Sequence, residues 1–253
     1  MEHISRPTAS LNTQTRIAQS QQPSKPSAQP KPQPCTECNG QRYYRYDVPM
    51  DHVYFGRMFP CPVCNQQEID YASGLKDRER RIALDAINTH GRPNTQTMKQ
   101  EVKKFISNPR GFLSLHGNNG TGKTMALMAI VNAVIEAGTQ ARYLTASELL
   151  AYMRETFNDT TKQTDYDRIH ELARIPVLCI DEMDKLRDTP YSREIQQELI
   201  NLRYRDADVL GTVLAWNGEL NDLPWQAVIS RVSEFVVVKN NDSDMRELLG
   251  EIK

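Results

Sequence analysis

The amino-acid sequence predicts an α/β fold: a parallel sheet flanked by helices, preceded by a small four-cysteine module and a disordered N-terminal tail. Three observations lead to this prediction. Apolar strands alternate with helical segments in the second half of the chain, a glycine-rich motif stands between one strand and the next helix, and two Cys-x-x-C pairs precede them. We divide the chain into a tail (1–34), a cysteine module (35–66), a helical linker (67–108) and an α/β domain (109–253).

Composition limits the classes of protein to which the chain can belong. Charged residues make up 25% of the 253 residues, hydrophobic residues make up 39%, and the formal net charge is -1. Any contact with nucleic acid must therefore come from local basic patches. No apolar run is long enough to span a bilayer, and the N-terminus lacks the apolar core of a signal peptide. We expect a cytoplasmic protein without a membrane partner, whose cysteines bind metal or stay free.

The tail and the linker differ in composition. Residues 1–34 are rich in Pro, Ser, Gln and Thr, so they have too little apolar surface to offset the entropy cost of ordering. We interpret them as a disordered tether, with DNA contact through a few Lys and Arg side chains as the alternative. From residue 77 the pattern is helical until a Gly-Arg-Pro turn at 91–93 breaks it, and a second helix is predicted at 97–106.

Strands and helices alternate through the rest of the chain. Apolar runs predict strands at 112–116, 141–145, 175–180, 212–216 and 235–239. Amphipathic patterns predict helices at 123–137 and 191–205, and Ser147 is placed to cap a helix after the second strand. This alternation predicts a parallel sheet with helices on both sides.

A phosphate-binding loop follows the first of these strands. The motif G-x-x-x-x-G-K-[ST] is matched at every position by Gly117, Asn118, Asn119, Gly120, Thr121, Gly122, Lys123 and Thr124. Glycines let backbone N–H groups surround phosphate oxygens, where a Cβ would obstruct the approach. In this motif the lysine reaches the β- and γ-phosphates and the Thr124 hydroxyl binds Mg²⁺. The expected ligands are ATP and Mg²⁺; a chance glycine-rich turn is the alternative, which the flanking strand and helix disfavour.

A buried strand ends in two carboxylates, Asp181 and Glu182. In proteins with this loop, an Asp at a strand end helps to hold Mg²⁺, and the following Glu can act as the general base that polarises an attacking water. Solvated carboxylates at the start of a loop are the alternative. We predict Lys123, Asp181 and Glu182 as catalytic residues, with Thr124 and Asp181 as magnesium ligands.

Several stretches of the sequence resemble one family. Residues 115–124, 142–150 and 180–182 are similar to the DnaC-type helicase loaders and to their IstB-type transposition relatives, and the likeness continues at 203–204, 212–217 and 229–232. It covers most of residues 100–250. The resemblance implies that residues 109–253 form a P-loop AAA+ domain that hydrolyses ATP.

The resemblance also implies two further catalytic residues. Asn217 falls where the family has its sensor-1 residue, which places the hydrolytic water against the γ-phosphate. Arg231 falls where the family has its arginine finger, which acts on the ATP of a neighbouring subunit. The resemblance therefore implies a homo-oligomer with ATP at the subunit junctions. An Asn in a turn and an Arg on a helix surface are the plain alternatives.

The sequence departs from the family pattern in two places. The family commonly has Ser or Thr before the sensor Asn, whereas this chain has Trp216. The sequence stops soon after Arg246, so we expect a shortened helical lid, which leaves open both the enclosure of ATP and a contact of Arg246 with its phosphates.

Four cysteines form two Cys-x-x-C knuckles, Cys35 with Cys38 and Cys61 with Cys64. Tetrahedral Zn²⁺ binds four thiolates, and each knuckle offers two, so the spacing predicts a structural zinc site with a hairpin between the knuckles. A redox dithiol is the main alternative, but it ordinarily needs one such pair on a different fold. His52 is a candidate substitute ligand, with a plain surface residue as the alternative.

Aromatic and Arg residues are interleaved between the two knuckles. The set comprises Arg42, Tyr43, Tyr44, Arg45, Tyr46, Tyr54, Phe55 and Arg57. Such residues can stack the bases of single-stranded DNA and neutralise its phosphates. They are also common in protein interfaces, and in a module this small they can simply cover the zinc site. These three interpretations stay open at this point.

The leading functional hypothesis is an ATP-dependent loader of a replicative hexameric DNA helicase, acting in the initiation of DNA replication. The zinc module would then contact the helicase or single-stranded DNA. The second hypothesis is an IstB-like transposition helper that assembles on DNA, and the third is a zinc adaptor that uses ATP as a switch with little hydrolysis. The sequence identifies neither the helicase nor the number of subunits.

Overall fold

A computed structural model describes residues 35–155 and 163–245. The predicted tail at 1–34 and the candidate Arg246 lie outside the described residues. The boundaries between the cysteine module, the linker and the α/β domain stay predictions. Within the described residues, no helix is long and apolar enough to cross a membrane.

A five-stranded parallel sheet forms the centre of the α/β domain. Its strands are β3 (Gly111–Gly117), β4 (Ala141–Thr145), β5 (Val177–Asp181), β6 (Gly211–Ala215) and β7 (Val236–Asn240), and their spatial order is β4-β5-β6-β3-β7. All five predicted strands are confirmed within two residues at either end. Side chains alternate along each strand, so Phe112 and Leu113 enter cores on opposite faces of the sheet.

Helices cover both faces of this sheet, as predicted. One face carries α2 (Pro93–Ser107) and α3 (Lys123–Glu136). The other face carries α4 (Ala146–Arg154), α5 (Asp165–Ala173), α6 (Pro190–Arg205) and α7 (Gln226–Val232). The central strands β3, β5 and β6 are buried at every residue, which explains their largely apolar composition.

A small antiparallel hairpin precedes the sheet. It consists of β1 (Tyr43–Tyr44) and β2 (Phe59–Pro60), and α1 (Gln66–Ala72) follows it. After α1, the carbonyl of Ser73 accepts a hydrogen bond from the backbone N–H of Tyr143 at 2.8 Å. The segment after α1 is therefore joined to β4, which is one of the two edge strands of the large sheet.

Two local predictions were wrong. Where the sequence predicts a helix from residue 77, the chain forms only the short 3-10 turns Glu79–Arg81 and Leu84–Ala86. The side-chain amide of Asn132 on α3 donates to the carbonyls of Glu79 and Ile82, both at 2.9 Å, so these groups are satisfied without a continuous helix. The following helix begins at Pro93 instead of residue 97, because proline is favourable in the first helical turn.

The second wrong prediction concerns the cap of α4. Thr145, not Ser147, caps this helix: its hydroxyl accepts from the backbone N–H of Glu148 at 3.1 Å. The Glu148 carboxylate accepts in return from the backbone N–H of Thr145 at 2.7 Å. Because β4 leads into α4 without a loop, the last strand residue becomes the capping residue.

Candidate functional site

The carboxyl ends of three strands bring the predicted nucleotide site together. Parallel strands end at the same edge of a sheet, which is where such folds bind ligands. A cavity of about 430 Å³ at this edge is lined by Asn119, Gly120, Thr121, Gly122, Lys123, Thr124, Met125, Asp181, Glu182, Trp216, Asn217 and Met245. Strand β6 lies between β3 and β5, so Asn217 stands between the glycine-rich loop and the acidic strand end.

The glycine-rich loop needs its glycines for space as well as for conformation. Gly117 has a φ of 121°, and a Cβ there would overlap the carbonyl oxygen of Asn240 at the end of β7. Gly122 has a φ of 92° and immediately precedes α3. Any side chain at either position would be strained, because L residues rarely adopt a positive φ of this size. Glycine avoids this strain, so the loop can curl tightly and point its backbone toward the cavity.

Lys123 is folded back onto its own loop. Its ammonium donates to the carbonyl oxygens of Gly117 at 3.1 Å and Asn118 at 2.5 Å, and the side chain is buried. Burial lowers the pKa of Lys123, although Asp181 and Asp184 partly oppose this shift. A buried ammonium beside a cavity is a strong attractor for an anion, because an anionic ligand would supply the counter-charge that the carbonyl dipoles only partly provide.

Asp181 is the buried end of β5 and is held by two donors. Tyr143 donates its hydroxyl to Oδ2 at 3.1 Å, and the backbone N–H of Glu182 donates to Oδ1 at 2.8 Å. Glu182 itself is exposed and has a φ of 54°, a left-handed conformation that few non-glycine residues adopt. Backbone strain of this kind is common at functional sites. Here the Asp181 carboxylate is buried, whereas the adjacent Glu182 is exposed.

The structure adds Asp184, which sequence reasoning missed. Its carboxylate accepts from the backbone N–H of Asn217 at 3.0 Å and from the Asn217 side-chain amide at 3.2 Å. Burial on its own would raise the pKa of Asp184, but the hydrogen bonds from Asn217 and Lys185 lower it below its ordinary value. The only sequence signal was a further acid two residues beyond the predicted pair.

Trp216, which stands where the family commonly has Ser or Thr, lines the cavity and packs against β3. Its ring lies parallel to the ring of His116 on β3, with 5.3 Å between centroids and 10° between planes. The indole N–H donates to the carbonyl of Glu219 at 3.1 Å, and His116 Nδ1 lies 3.1 Å from the carbonyl of Gly218. The stack ties the turn that carries Asn217 to the strand that carries the glycine-rich loop.

Arg231 lies apart from the other predicted catalytic residues. It is half-buried on α7, donates to the carbonyl of Ala227 at 2.9 Å and lies 5.7 Å over the ring of Tyr204. The cavity lining formed by the described residues does not include it. The fold of a single chain therefore does not bring Arg231 to its own nucleotide cavity.

The four predicted zinc ligands come together as one cluster. The sulphur atoms of Cys35, Cys38, Cys61 and Cys64 all lie within 4.8 Å of one another. Contacts of 3.8 Å and 3.4 Å run between the two knuckles, from Cys35 to Cys61 and from Cys38 to Cys64. Two sulphurs bonded to one tetrahedral Zn²⁺ at about 2.3 Å lie about 3.8 Å apart, so the arrangement fits this metal.

The surroundings of the cysteine cluster support the same fit. The backbone N–H of Arg42 donates to the sulphur of Cys38 at 3.2 Å, as backbone groups do around structural zinc thiolates. Although burial opposes ionisation, hydrogen bonds from the Cys64 thiol and Arg42 lower the pKa of Cys38 to about 7, and the same contact with Cys38 raises the pKa of Cys64 to about 12. His52 is not in the cluster; its Nδ1 accepts from the backbone N–H of Tyr54 at 3.1 Å.

Most of the aromatic residues between the knuckles pack on one another. Tyr44, Tyr46 and Tyr54 all contact the buried ring of Phe59, with centroid distances of 5.0 to 6.0 Å. Phe59 is buried and the three tyrosines pack around it, with Tyr46 still 38% exposed, so the rings form an aromatic cluster within the module. Phe55 remains 50% exposed, and Arg57 donates to the carbonyl of Arg174 after α5.

The sequence also matches a known protein family. The model of the ATPase family associated with various cellular activities (AAA) matches residues 113–240, which is half of the chain. This span begins in β3 and ends with β7, so it contains the glycine-rich loop, the acidic strand end and Asn217.

Curated relatives are replicative helicase loaders named DnaC. The chain is 29% identical over 134 residues to the loader of Buchnera aphidicola from Acyrthosiphon pisum, covering 52% of this chain and 54% of that protein. It therefore spans about half the length of this relative. It is 24% identical over 186 residues to the loader of Escherichia coli K12, covering 71% of this chain and 75% of that protein.

The fold is similar to that of solved structures. One is described as the crystal structure of the DnaC helicase loader; it superimposes with a TM-score of 0.55 at 19% identity, covering 66% of this chain and 100% of that chain. At this identity the likeness concerns the fold alone. The resemblance seen in the sequence is thus confirmed by a family model and by curated relatives.

Proposed function

The chain belongs to the AAA family of ATPases, and from this premise we propose that it is an ATP-hydrolysing loader of a replicative hexameric DNA helicase in the initiation of DNA replication. One observation carries the proposal: a single cavity gathers the glycine-rich loop, the acidic strand end and Asn217 in a chain similar to replicative helicase loaders. Proteins of this family bind nucleotides.

Each predicted residue has a proposed role in the nucleotide site. Lys123 and the backbone of the loop at 117–124 bind the phosphates of ATP. Thr124 and Asp181 hold Mg²⁺, which would neutralise phosphate charge. Glu182 accepts a proton from the attacking water, and Asn217 orients that water. The proximity of these side chains around one cavity supports the assignment.

Arg231 is proposed to act on the ATP of a neighbouring copy of the chain. Its position on α7, away from the cavity of its own chain, supports a role in trans. An arginine supplied by a neighbour stabilises transition-state charge and makes hydrolysis depend on assembly. The proposed working form is therefore a homo-oligomer with ATP at the subunit junctions.

The cysteine module is proposed to bind a structural Zn²⁺ and to dock a partner. The four sulphurs fit the metal, and Phe55 with its neighbours offers exposed apolar surface. The replicative helicase and single-stranded DNA are the proposed partners, because exposed aromatic and Arg side chains suit either one. The relatives named above are helicase loaders, so the transposition helper and the ATP-switched adaptor are not favoured.

Size-exclusion chromatography with the replicative helicase of the same source tests the proposal. A complex that co-elutes in ATP, is weakened by Lys123→Ala and is unaffected by Lys103→Ala would support it, because Lys103 is an exposed lysine on α2. If the wild-type protein hydrolyses ATP yet forms no complex in any nucleotide state, the loader function is wrong and the ATPase assignment remains.

A further inference from the structure

The contact between Asp184 and Asn217 links two turns at the cavity edge. Asp184 lies in the 3-10 turn Met183–Lys185 after β5, and Asn217 follows the neighbouring strand β6. The carboxylate accepts from the backbone N–H at 3.0 Å and from the side-chain Nδ2 at 3.2 Å. Asn217 lines the cavity, whereas the described lining does not include Asp184. The carboxylate therefore acts on the cavity through the amide.

This contact determines which way the Asn217 amide faces. A side-chain amide has a donor end and an acceptor end, and only the NH₂ end can donate to a carboxylate. The orientation of an amide is assigned from its partners, and a carboxylate partner allows a single choice. Because the hydrogen bonds lower the pKa of Asp184, it remains an acceptor near neutral pH. Oδ1 is then the end of Asn217 that is not committed to Asp184.

We propose that Asp184 is a positioning residue, which orients the Asn217 amide so that Oδ1 accepts a hydrogen bond from the attacking water. The inference rests on the hydrolytic function proposed above. In the reaction, the water oxygen bonds to the γ-phosphorus while the bond from phosphorus to the β–γ bridging oxygen breaks, and that electron pair leaves on ADP. Glu182 takes one water proton; the hydrogen that points at Oδ1 stays on the phosphate product.

A purely structural role for Asp184 makes a different prediction. The backbone N–H of Asn217 is also a donor, so the carboxylate could merely hold the turn after β6. Loss of that support would lower stability without changing the turnover of the folded protein. The positioning role instead predicts a fall in kcat while ATP binding is retained, because only the transition-state contact is lost.

The test uses four variants of the full chain: Asp184→Ala, Asp184→Asn, Asn217→Asp, and the double variant Asp184→Asn with Asn217→Asp. ATPase kcat, the Kd of a fluorescent ATP analogue and the melting temperature are measured for each. Asp184→Asn keeps the size of the side chain, so it remains informative if Asp184→Ala fails to fold. Both should lower kcat about 10- to 100-fold, as expected for a misplaced reacting group, with the Kd changed less than about threefold.

The double variant separates an acceptor role of Asn217 from a donor role. Asn217→Asp alone places two carboxylates against each other and should lose most activity. In the double variant, the amide introduced at position 184 can donate to the carboxylate introduced at position 217. That carboxylate still offers an acceptor oxygen to water, and the charge of the pair is the same as in the wild type. We expect the kcat of the double variant to recover at least about tenfold over Asn217→Asp.

Each remaining outcome has a definite meaning. Asp188→Asn is the matched control: this exposed carboxylate pairs with Arg193 outside the cavity, so kcat should not change. If kcat is unchanged in both Asp184 variants, or if the double variant stays as low as Asn217→Asp, the positioning role is overturned while the ATPase function stands. Absence of turnover in the wild-type protein would overturn the hydrolytic function and this inference with it.

Discussion

Replacing Arg203 by Met should strongly destabilise the α/β domain. The guanidinium is fully buried between α6, the end of α5 and the start of β6. It donates to Thr212 Oγ1 at 2.8 Å and to the carbonyls of Ile175 at 2.8 Å, Ala173 at 2.9 Å, Leu172 at 3.3 Å and Gly211 at 2.5 Å. One side chain on α6 therefore satisfies acceptors from two other chain segments, 172–175 and 211–212. Met fills much of the same volume but donates no hydrogen bond.

The expected loss follows from these contacts. Hydrogen bonds that involve a charged group contribute about 1.5 to 3 kcal/mol each, but burial also penalises the charge, as the lowered pKa of Arg203 indicates. Removing one side of a buried charged network costs about 3 to 5 kcal/mol. Since domains are stable by about 5 to 15 kcal/mol, the change should be large. With a urea slope of about 2 to 3 kcal/mol per M, the unfolding midpoint should fall by about 1 to 2.5 M.

Urea unfolding followed by tryptophan fluorescence measures this change, because Trp216 and Trp225 are both buried in the α/β domain. Arg205→Met is the matched control; Arg205 is exposed on the last turn of the same helix, so its removal should change stability by less than about 0.5 kcal/mol. Arg203→Lys should be intermediate, because an ammonium has three N–H donors for five acceptors. A midpoint for Arg203→Met equal to that of Arg205→Met would refute the reasoning.

Three further predictions concern the two sites. Glu182→Gln should lower kcat about 100-fold or more while the Kd for ATP stays unchanged; steady-state kinetics would contradict this if turnover were normal. Metal analysis of protein purified without chelator should find about one zinc per chain, lost in Cys61→Ser and retained in Cys179→Ser, because Cys179 is buried in the sheet outside the cluster. A content well below one zinc in the wild type would exclude the site. In Trp225→Phe, the remaining Trp216 lines the cavity, so ATP should change its fluorescence; a constant spectrum at saturating ATP would show that nucleotide binds elsewhere.

Local patterns were enough to predict much of this protein. The glycine-rich loop is eight consecutive residues, and its chemistry depends on backbone freedom and on the strand and helix beside it. The five strands could also be predicted from short stretches of sequence, since apolar runs of this length must be buried. The spacing of the four cysteines predicted that they form one cluster, and the structure places their sulphurs within 4.8 Å of one another.

Local patterns failed where a distant group satisfied the backbone. The segment after residue 77 has helical periodicity but does not form a continuous helix. Two of its carbonyls, those of Glu79 and Ile82, accept hydrogen bonds from Asn132, which is 53 residues from Glu79 along the chain. Periodicity measures only which side chains share a face. It contains no information about a partner on another helix.

The sequence alone determined the chemical groups that this chain can offer: a glycine-rich loop, a carboxylate pair at a strand end and four cysteines. The tertiary structure decided which side chains act together. Asp184 and Asn217 are 33 residues apart and meet only because β5 and β6 are neighbours in the sheet. Tyr143 reaches Asp181 across 38 residues because β4 lies beside β5. Strand order results from the packing of whole helices on a sheet, and this non-local free energy has no signature in a short window of sequence.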